Sequence, residues 1–369
     1  MNRITNHNLS FFERSLLNAP VIWKTEVRKK RKAGLPKAKA MGTKGFLPFE
    51  DAMEEAMACY APGISPKEKK KQQEDIIRYF LTQFISPSEY YLFSFDKMNK
   101  RRSQKRQFVS RVEKDRAMTK ALGKGEKYKL LHDKYECYKR LKEFYKRDAC
   151  KLTADSTEEF LRFCKMHSSF MAKPLSGGGG GTTFVMHTEG LREDQIKERI
   201  ESLLSKSSEW MIEELIEQDK QMAQWNSSSV NTVRVCSRIN SSGFGVFDAV
   251  FRMGRKGSDV DNASSGGVAA LVDVKTGKVT SDAIDKKNNV YTEHPDSHLP
   301  IKGFDVPKWD ELLETVKKVH TQIAPYPYVG WDFALSDKGW VIVEGNWGHL
   351  ISQEIRKKGI RKEFYKSFR

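Results

Sequence analysis

Residues 170–186 read FMAKPLSGGGGGTTFVM: an apolar segment carrying Lys173, five consecutive glycines (Gly177, Gly178, Gly179, Gly180 and Gly181), then a β-branched and aromatic segment. Ordering five glycines is entropically expensive, so such a run is either a flexible connection or a backbone that must come close to something. The flanks predict strands, Ser168–Lys173 before Pro174 and Thr182–Met186 after the glycines, and so a hairpin turning through the loop. Backbone N–H groups of a glycine loop can converge on phosphate oxygens, and a neighbouring lysine adds a full positive charge. The order differs from a Walker A loop, where the lysine follows the last glycine. Taken alone, the stretch also describes an exposed surface hairpin.

A second stretch, GWDFALSDKGWVIVEGNWGH (330–349), predicts another hairpin, Tyr328–Leu335 and Gly339–Glu344, turning at Ser336-Asp337-Lys338. Asp332 and Glu344 then lie on adjacent antiparallel strands, and alternation puts Glu344 and Asn346 on one face. Two carboxylates and a carboxamide are hard oxygen ligands suited to Mg²⁺ held against substrate phosphates. Arg234 and Arg252 sit on predicted strands among apolar neighbours, where an unpaired charge is costly. Either an anionic substrate or an internal salt bridge would relieve them.

Outward from these stretches, residues 168–350 alternate predicted strands (210–216, 230–239, 244–253, 267–274) with amphipathic helices (192–205, 309–324), an α+β pattern. The first third reads as helical over 50–60, 66–84 and much of 104–147. Charge divides the chain in the same place. Residues 1–150 hold 35 Lys and Arg against 18 Asp and Glu, and the remainder holds 30 of each, so the whole excess of +17 belongs to the N-terminal part. Runs such as Arg28–Lys32, Lys69–Lys71 and Lys100–Arg102 suit an anionic glycan or an anionic membrane face, or a solvated basic surface. Few aromatics interleave them, which argues against nucleic acid. The apolar residues from Leu9 to Trp23 predict an element that packs on the protein or lies on a membrane surface.

No apolar run approaches the ~20 residues of a membrane-spanning helix, and the first residues lack the pattern of a secretory signal. Five scattered cysteines without a CxxC pair predict reduced thiols and a cytoplasmic setting, including the inner membrane face.

The succession Asp133-Lys134, Lys173 with its glycines, MIEELI (211–216) and Asp332 followed by Glu344-x-Asn346 resembles the ATP-grasp superfamily, and residues 170–186 are similar to the glycine loop of biotin carboxylases. PSEYYLFSF (87–95), WNSSSVNTVRV (225–235), DNASSGG (261–267) and EGNWGH (344–349) resemble, more narrowly, the sugar-transfer-associated ATP-grasp family, found with capsule and surface-polysaccharide biosynthesis. The resemblance implies an ATP-grasp fold over 126–369, with a glycine-loop subdomain at about 150–216 and a metal subdomain at about 217–350, preceded by a helical basic region, 1–125.

It further implies ATP and Mg²⁺ as cofactors. Lys134 and Lys173 would contact the α- and β-phosphates, with the five glycines as a lid. Glu213, Glu214, Leu215 and Ile216 would form the adenine hinge, Glu213 accepting from the adenine amino group, and Glu217 would meet the ribose. Asp332, Glu344 and Asn346 would hold metal. Arg252, Arg234, Asn262 and Asn231 would face the transferring phosphate or the carboxylate substrate. The implied reaction joins a small carboxylate to an amine through an acylphosphate. A kinase acting on a hydroxyl and a non-catalytic anion-binding scaffold are the competing classes.

Overall fold

The computed structural model describes residues 35, 37–39, 46–97, 101–123, 130–175, 183–323, 326–347 and 350–369. The apolar stretch at 9–23, the basic run at 28–32, the five glycines and His349 therefore lie outside the described residues. Two compact units are present: one runs to Ala117 and takes in Arg356–Lys366, and the other comprises Met118–Ile355 with Ser367–Arg369.

The first unit is helical. A two-residue ladder, β1 (Ala38–Lys39) with β2 (Phe46–Leu47), precedes α1 (Phe49–Tyr60), α2 (Pro66–Gln83), α3 (Pro87–Leu92) and α4 (Arg102–Lys105). The boundary between the units falls inside α5 (Arg111–Leu122). Ser65 caps α2, accepting from the Glu68 N–H (3.2 Å) ahead of Pro66 in the first turn. The PSEYYLF segment starts with a capping box, in which the Ser86 N–H donates to Glu89 Oε2 (2.8 Å) and the Glu89 N–H donates to Ser86 Oγ (3.3 Å). Glu89 is buried and its other oxygen accepts from the Arg111 N–H (2.7 Å), which fixes where α5 begins. The core is aromatic, built on Phe49, Tyr79, Phe80, Tyr90, Phe93, Phe95 and Phe108. Lys69 and Lys71 make surface pairs with Glu54 (2.6 Å) and Glu68 (3.6 Å).

Over 104–147, expected to be largely helical, the helices are the end of α4, then α5 and α6 (Lys134–Tyr145). The second unit then holds two antiparallel sheets. The smaller contains β3 (Ala149–Leu152), β4 (Ser169–Pro174), β5 (Phe184–His187) and β6 (Trp210–Glu214), in the order β3-β6-β4-β5. The hairpin around the glycines is present, with Phe170 opposite Met186 and Ala172 opposite Phe184. Helices α7 (Thr157–Met166) and α8 (Glu193–Lys206) bury Phe160, Phe163, Ile200 and Leu203 in one cluster with Phe170 and Trp210 of this sheet.

The larger sheet contains β7 (Thr232–Asn240), β8 (Gly243–Met253), β9 (Val268–Leu271), β10 (Ala283–Ile284), β11 (Val290–Tyr291), β12 (Tyr328–Ser336) and β13 (Gly339–Asn346), ordered β11-β10-β9-β8-β7-β12-β13. Helix α9 (Trp309–Gln322) packs on one face. There the buried His320 Nδ1 and Ser237 Oγ share a hydrogen bond (2.7 Å), and Trp331 Nε1 donates to the same hydroxyl (3.1 Å). Strand alternation then turns Arg234 and Asp332 to the opposite face.

None of the five cysteines is in a disulfide, and burial pushes Cys137 and Cys236 up to about 12. No helix among the described residues is long and apolar enough to cross a membrane.

Candidate active site

Four contiguous strands, β8-β7-β12-β13, bring Arg252, Arg234, Asp332 and the Glu344/Asn346 pair into one charged row. Arg234 stands opposite Asp332, and Asp332 opposite Glu344. After that pair the register slips: Phe333 faces Ile342, leaving Val343 as the extra residue of a β-bulge. A bulge re-aims the side chains beside it, here Glu344. Gly345 between the two ligand candidates is forced by space, because a Cβ there would lie 2.8 Å from Trp331 and 2.9 Å from Leu131.

Asp332 is buried and held from two sides. Arg234 reaches it with a bidentate fork, Nε donating to Oδ1 at 2.6 Å and Nη2 to Oδ2. Arg252 Nη1 also donates to Oδ2 (2.8 Å), as does Asn346 Nδ2 (3.3 Å). Burial alone would raise the Asp332 carboxyl, but the two guanidinium charges outweigh it and hold the group below the usual carboxylate range. Arg252 extends the chain with its Nη2, which donates to Asp261 Oδ1 (2.8 Å) and to the Asn262 side-chain Oδ1. Asp261 also accepts from the Thr232 hydroxyl and its N–H. The loop beyond is tight, since a Cβ on Gly267 would lie 2.2 Å from the Asp261 carbonyl oxygen.

Both arginines thus have internal partners. The metal assignment can be tested on the oxygens. Asp332 Oδ2 accepts three hydrogen bonds, while Oδ1 accepts one and has a lone pair to spare. Glu344, 37% exposed, has its carboxylate 3.7 Å from Lys134 Nζ. The Asn346 side-chain Oδ1 carries no hydrogen bond among the described residues. One Asp332 oxygen, Glu344 and Asn346 therefore fit a hard divalent cation, with Asp332 contributing through Oδ1.

Lys134 occupies the first turn of α6, whose N-cap Asp133 accepts from the N–H groups of Tyr135 (2.9 Å) and Glu136 (3.0 Å). The Asp133-Lys134 pair is thus one helix start that points a cation at Glu344. On the smaller sheet, Lys173 is paired with Glu213.

Three expectations change. Glu213, expected to accept from adenine, is buried and its carboxylate is taken by Lys173 and by Arg147, whose Nε and Nη2 donate at 3.0 and 2.6 Å. The strand expected to reach Ile216 ends at Glu214, so Leu215, Ile216 and the exposed Glu217 form an irregular segment. Asn231, expected to face substrate, is fully buried in a backbone knot. Its Nδ2 donates to the carbonyls of Met222 (3.0 Å) and Asn226 (2.9 Å), and its Oδ1 accepts from the Gly254 N–H (3.0 Å). Its amide group is consumed by the chain itself.

Glu214 points to the other face of its sheet. It accepts from the Asp148 N–H (3.0 Å), lies 3.5 Å from Lys338 Nζ, and groups with Asp148 and His167. Arg147 went unread in the sequence, since nothing in KRDAC sets one basic residue apart from the next.

A family model described as sugar-transfer associated ATP-grasp matches residues 113–366. The chain belongs to the sugar-transfer-associated ATP-grasp family. Its second unit carries an α+β architecture of two antiparallel sheets with covering helices. No curated protein sequence matches this ATP-grasp protein.

Solved structures similar in part include D-alanine–D-alanine ligase from Bacillus anthracis (15% identity, 62% of this chain and 60% of that one, TM-score 0.38). Others are VanG D-Ala:D-Ser ligase from Enterococcus faecalis (11%, 66% and 63%, 0.43) and N5-carboxyaminoimidazole ribonucleotide synthetase from Thermotoga maritima (11%, 66% and 50%, 0.38). The chain spans between half and two thirds of the length of these three proteins.

Proposed function

We propose that this protein is an ATP-dependent carboxylate–amine ligase. It forms an amide through an acylphosphate, with ATP and Mg²⁺ as cofactors, in the building or decoration of a surface polysaccharide or a related metabolite. The observation that carries the reading is the row of Arg252, Arg234, Asp332, Glu344 and Asn346 on four contiguous strands, ending at Lys134, within a chain of this family.

Lys134 and Lys173 bind the α- and β-phosphates. Leu215, Ile216 and Glu217 hold adenine and ribose by backbone and side chain. Glu344, Asn346 and Asp332 Oδ1 hold Mg²⁺, which supplies positive charge against the phosphate oxygens when bound. Arg252 and Asn262 orient the substrate carboxylate. Its oxygen bonds to the γ-phosphorus as the bond to the ADP oxygen breaks. The amine nitrogen then bonds to the acyl carbon, loses a proton, and phosphate leaves. Arg234 and Arg252, fixed in place by Asp332, present charge that needs no reorganisation during the transfer. The excess of basic residues in the first 150 supports a docking role for that part on an anionic glycan or membrane face.

The test is hydroxylamine trapping with Mg-ATP and a panel of small acids, amino acids and uronic acids included. ADP together with an acid-dependent hydroxamate is expected. AMP as the product, a stable phosphoester, or no nucleotide turnover with any acid overturns the reading.

A further inference from the structure

Glu213 lies between two unlike cations. Lys173 Nζ is paired with Oε1, while Arg147 grips Oε2 through Nε (3.0 Å) and Nη2 (2.6 Å). Arg147 is itself anchored: its Nη1 donates to the carbonyls of Ile342 (2.7 Å) and Tyr145 (3.2 Å), and its guanidinium lies 4.8 Å from the Tyr145 ring centroid. It therefore spans from β6 in the smaller sheet to β13 in the larger, two residues before Glu344. A guanidinium with this many donors committed is a fixed charge, whereas a lysine is a mobile point charge on a flexible stem. The Lys173 side chain is 12% exposed, that of Arg147 3%.

A phosphate that draws Lys173 must take it from a buried carboxylate. Left bare, that carboxylate would be strongly unfavourable and would either retain the lysine or take up a proton. With Arg147 in place it keeps a bidentate partner.

We propose that Arg147 is a positioning residue for nucleotide binding: it holds the Glu213 charge while Lys173 moves from Glu213 to a triphosphate, and its bond to Ile342 ties that release to the strand carrying Glu344. This rests on the ATP-dependent reading above.

The charged and titratable groups around Glu213 are Arg147, Lys173 and the Tyr145 phenol. Burial would raise the Glu213 carboxyl, and the two cations outweigh it and hold the group below its ordinary value. With Arg147 removed, burial works against a single cation and the carboxyl rises. Protonation then frees Lys173, so nucleotide affinity of the variant improves as pH falls.

The experiment is calorimetric titration of Mg-ATP into the full chain at pH 6 and pH 8, with KM and kcat beside it, for wild type, Arg147→Met, Glu213→Gln and the double variant. Arg147→Met is expected to weaken binding by about tenfold, more at pH 8 than at pH 6, with KM moving further than kcat. Glu213→Gln in the same chain restores most of the loss, because no charge is left to strand. Binding by Arg147→Met within about twofold of wild type, well inside the effect expected of a desolvated charge pair, or a double variant no tighter than the single, overturns the proposal. Should Arg147→Met not fold, the comparison is between Glu213→Gln and the double variant. Equal affinities are expected, since Arg147 acts through Glu213, and a further loss in the double variant overturns the proposal. A wild-type chain that binds no nucleotide overturns the ATP-dependent reading itself, and this inference with it.

Discussion

Two buried carboxylates, one in each sheet of the second unit, are each held by a pair of cations, and the pairs differ in kind. Asp332 has two arginines, Arg234 on the adjacent strand and Arg252 one strand further, both pinned by further hydrogen bonds or burial. Glu213 has one arginine and one lysine. The first assembly is a rigid strut with no cation to lend. The second keeps one fixed charge and one that can leave. The same physical problem, a carboxylate out of water, is solved once for permanence and once for exchange.

The comparison breaks first at Arg234. Arg234→Met removes the bidentate partner of Asp332 and should cost about 3–5 kcal/mol of stability, read as a lowered urea midpoint with an unchanged slope. A loss below about 1 kcal/mol, the scale of an exposed pair, would mean that Asp332 is not a strut. Glu344→Gln tests the other role of that sheet. It should reduce ATP turnover by about 100-fold or more with the urea midpoint held, and unaltered turnover removes Glu344 from the chemistry. Lys173→Met sharpens the contrast: because Arg147 remains on Glu213, stability should fall by only about 2 kcal/mol, less than for Arg234→Met, while Mg-ATP binding weakens.

Acid titration probes both carboxylates together. Each is held below its ordinary value in the folded chain, so each contributes stability that is fully present above the unfolded-chain pKa and lost as pH falls through the lower folded one. The urea midpoint should therefore drop below about pH 4.5, and Glu213→Gln should flatten that acid limb; a limb of unchanged steepness would deny Glu213 its ion pairs. The smallest effect lies in the first unit, where Ser86→Ala removes half a capping box and should cost about 1 kcal/mol, measured as a shift in Tm.

Much of this was legible in the sequence because it follows from period and punctuation. Two-residue alternation located Asp332 and Glu344 on paired strands with Glu344 and Asn346 on one face, and the flanks of the glycines made the β4–β5 hairpin readable. What could not be read depends on which strands become neighbours. Arg234 and Asp332 are 98 residues apart, and only the β7–β12 pairing sets one against the other. Arg147 acquires its meaning from Glu213 and Ile342, on strands of two different sheets. The slip at Val343 leaves no mark in a run of apolar residues, and Asn231 looked like a polar strand residue until the Gln218–Asn226 turn folded over it.

The helical unit is closed by residues from the far end of the chain. Arg361 forks onto Glu113, 248 positions upstream, and also donates to the Phe108 carbonyl (2.9 Å), while the Tyr365 hydroxyl adds a bond to the same carboxylate (2.7 Å). Glu113 is therefore made well before the residues that clasp it. At ordinary rates of synthesis, about 5–20 residues per second, Glu113 waits on the order of 10–50 s for its clasp, an interval in which the aromatic interior of that unit depends on its own helices.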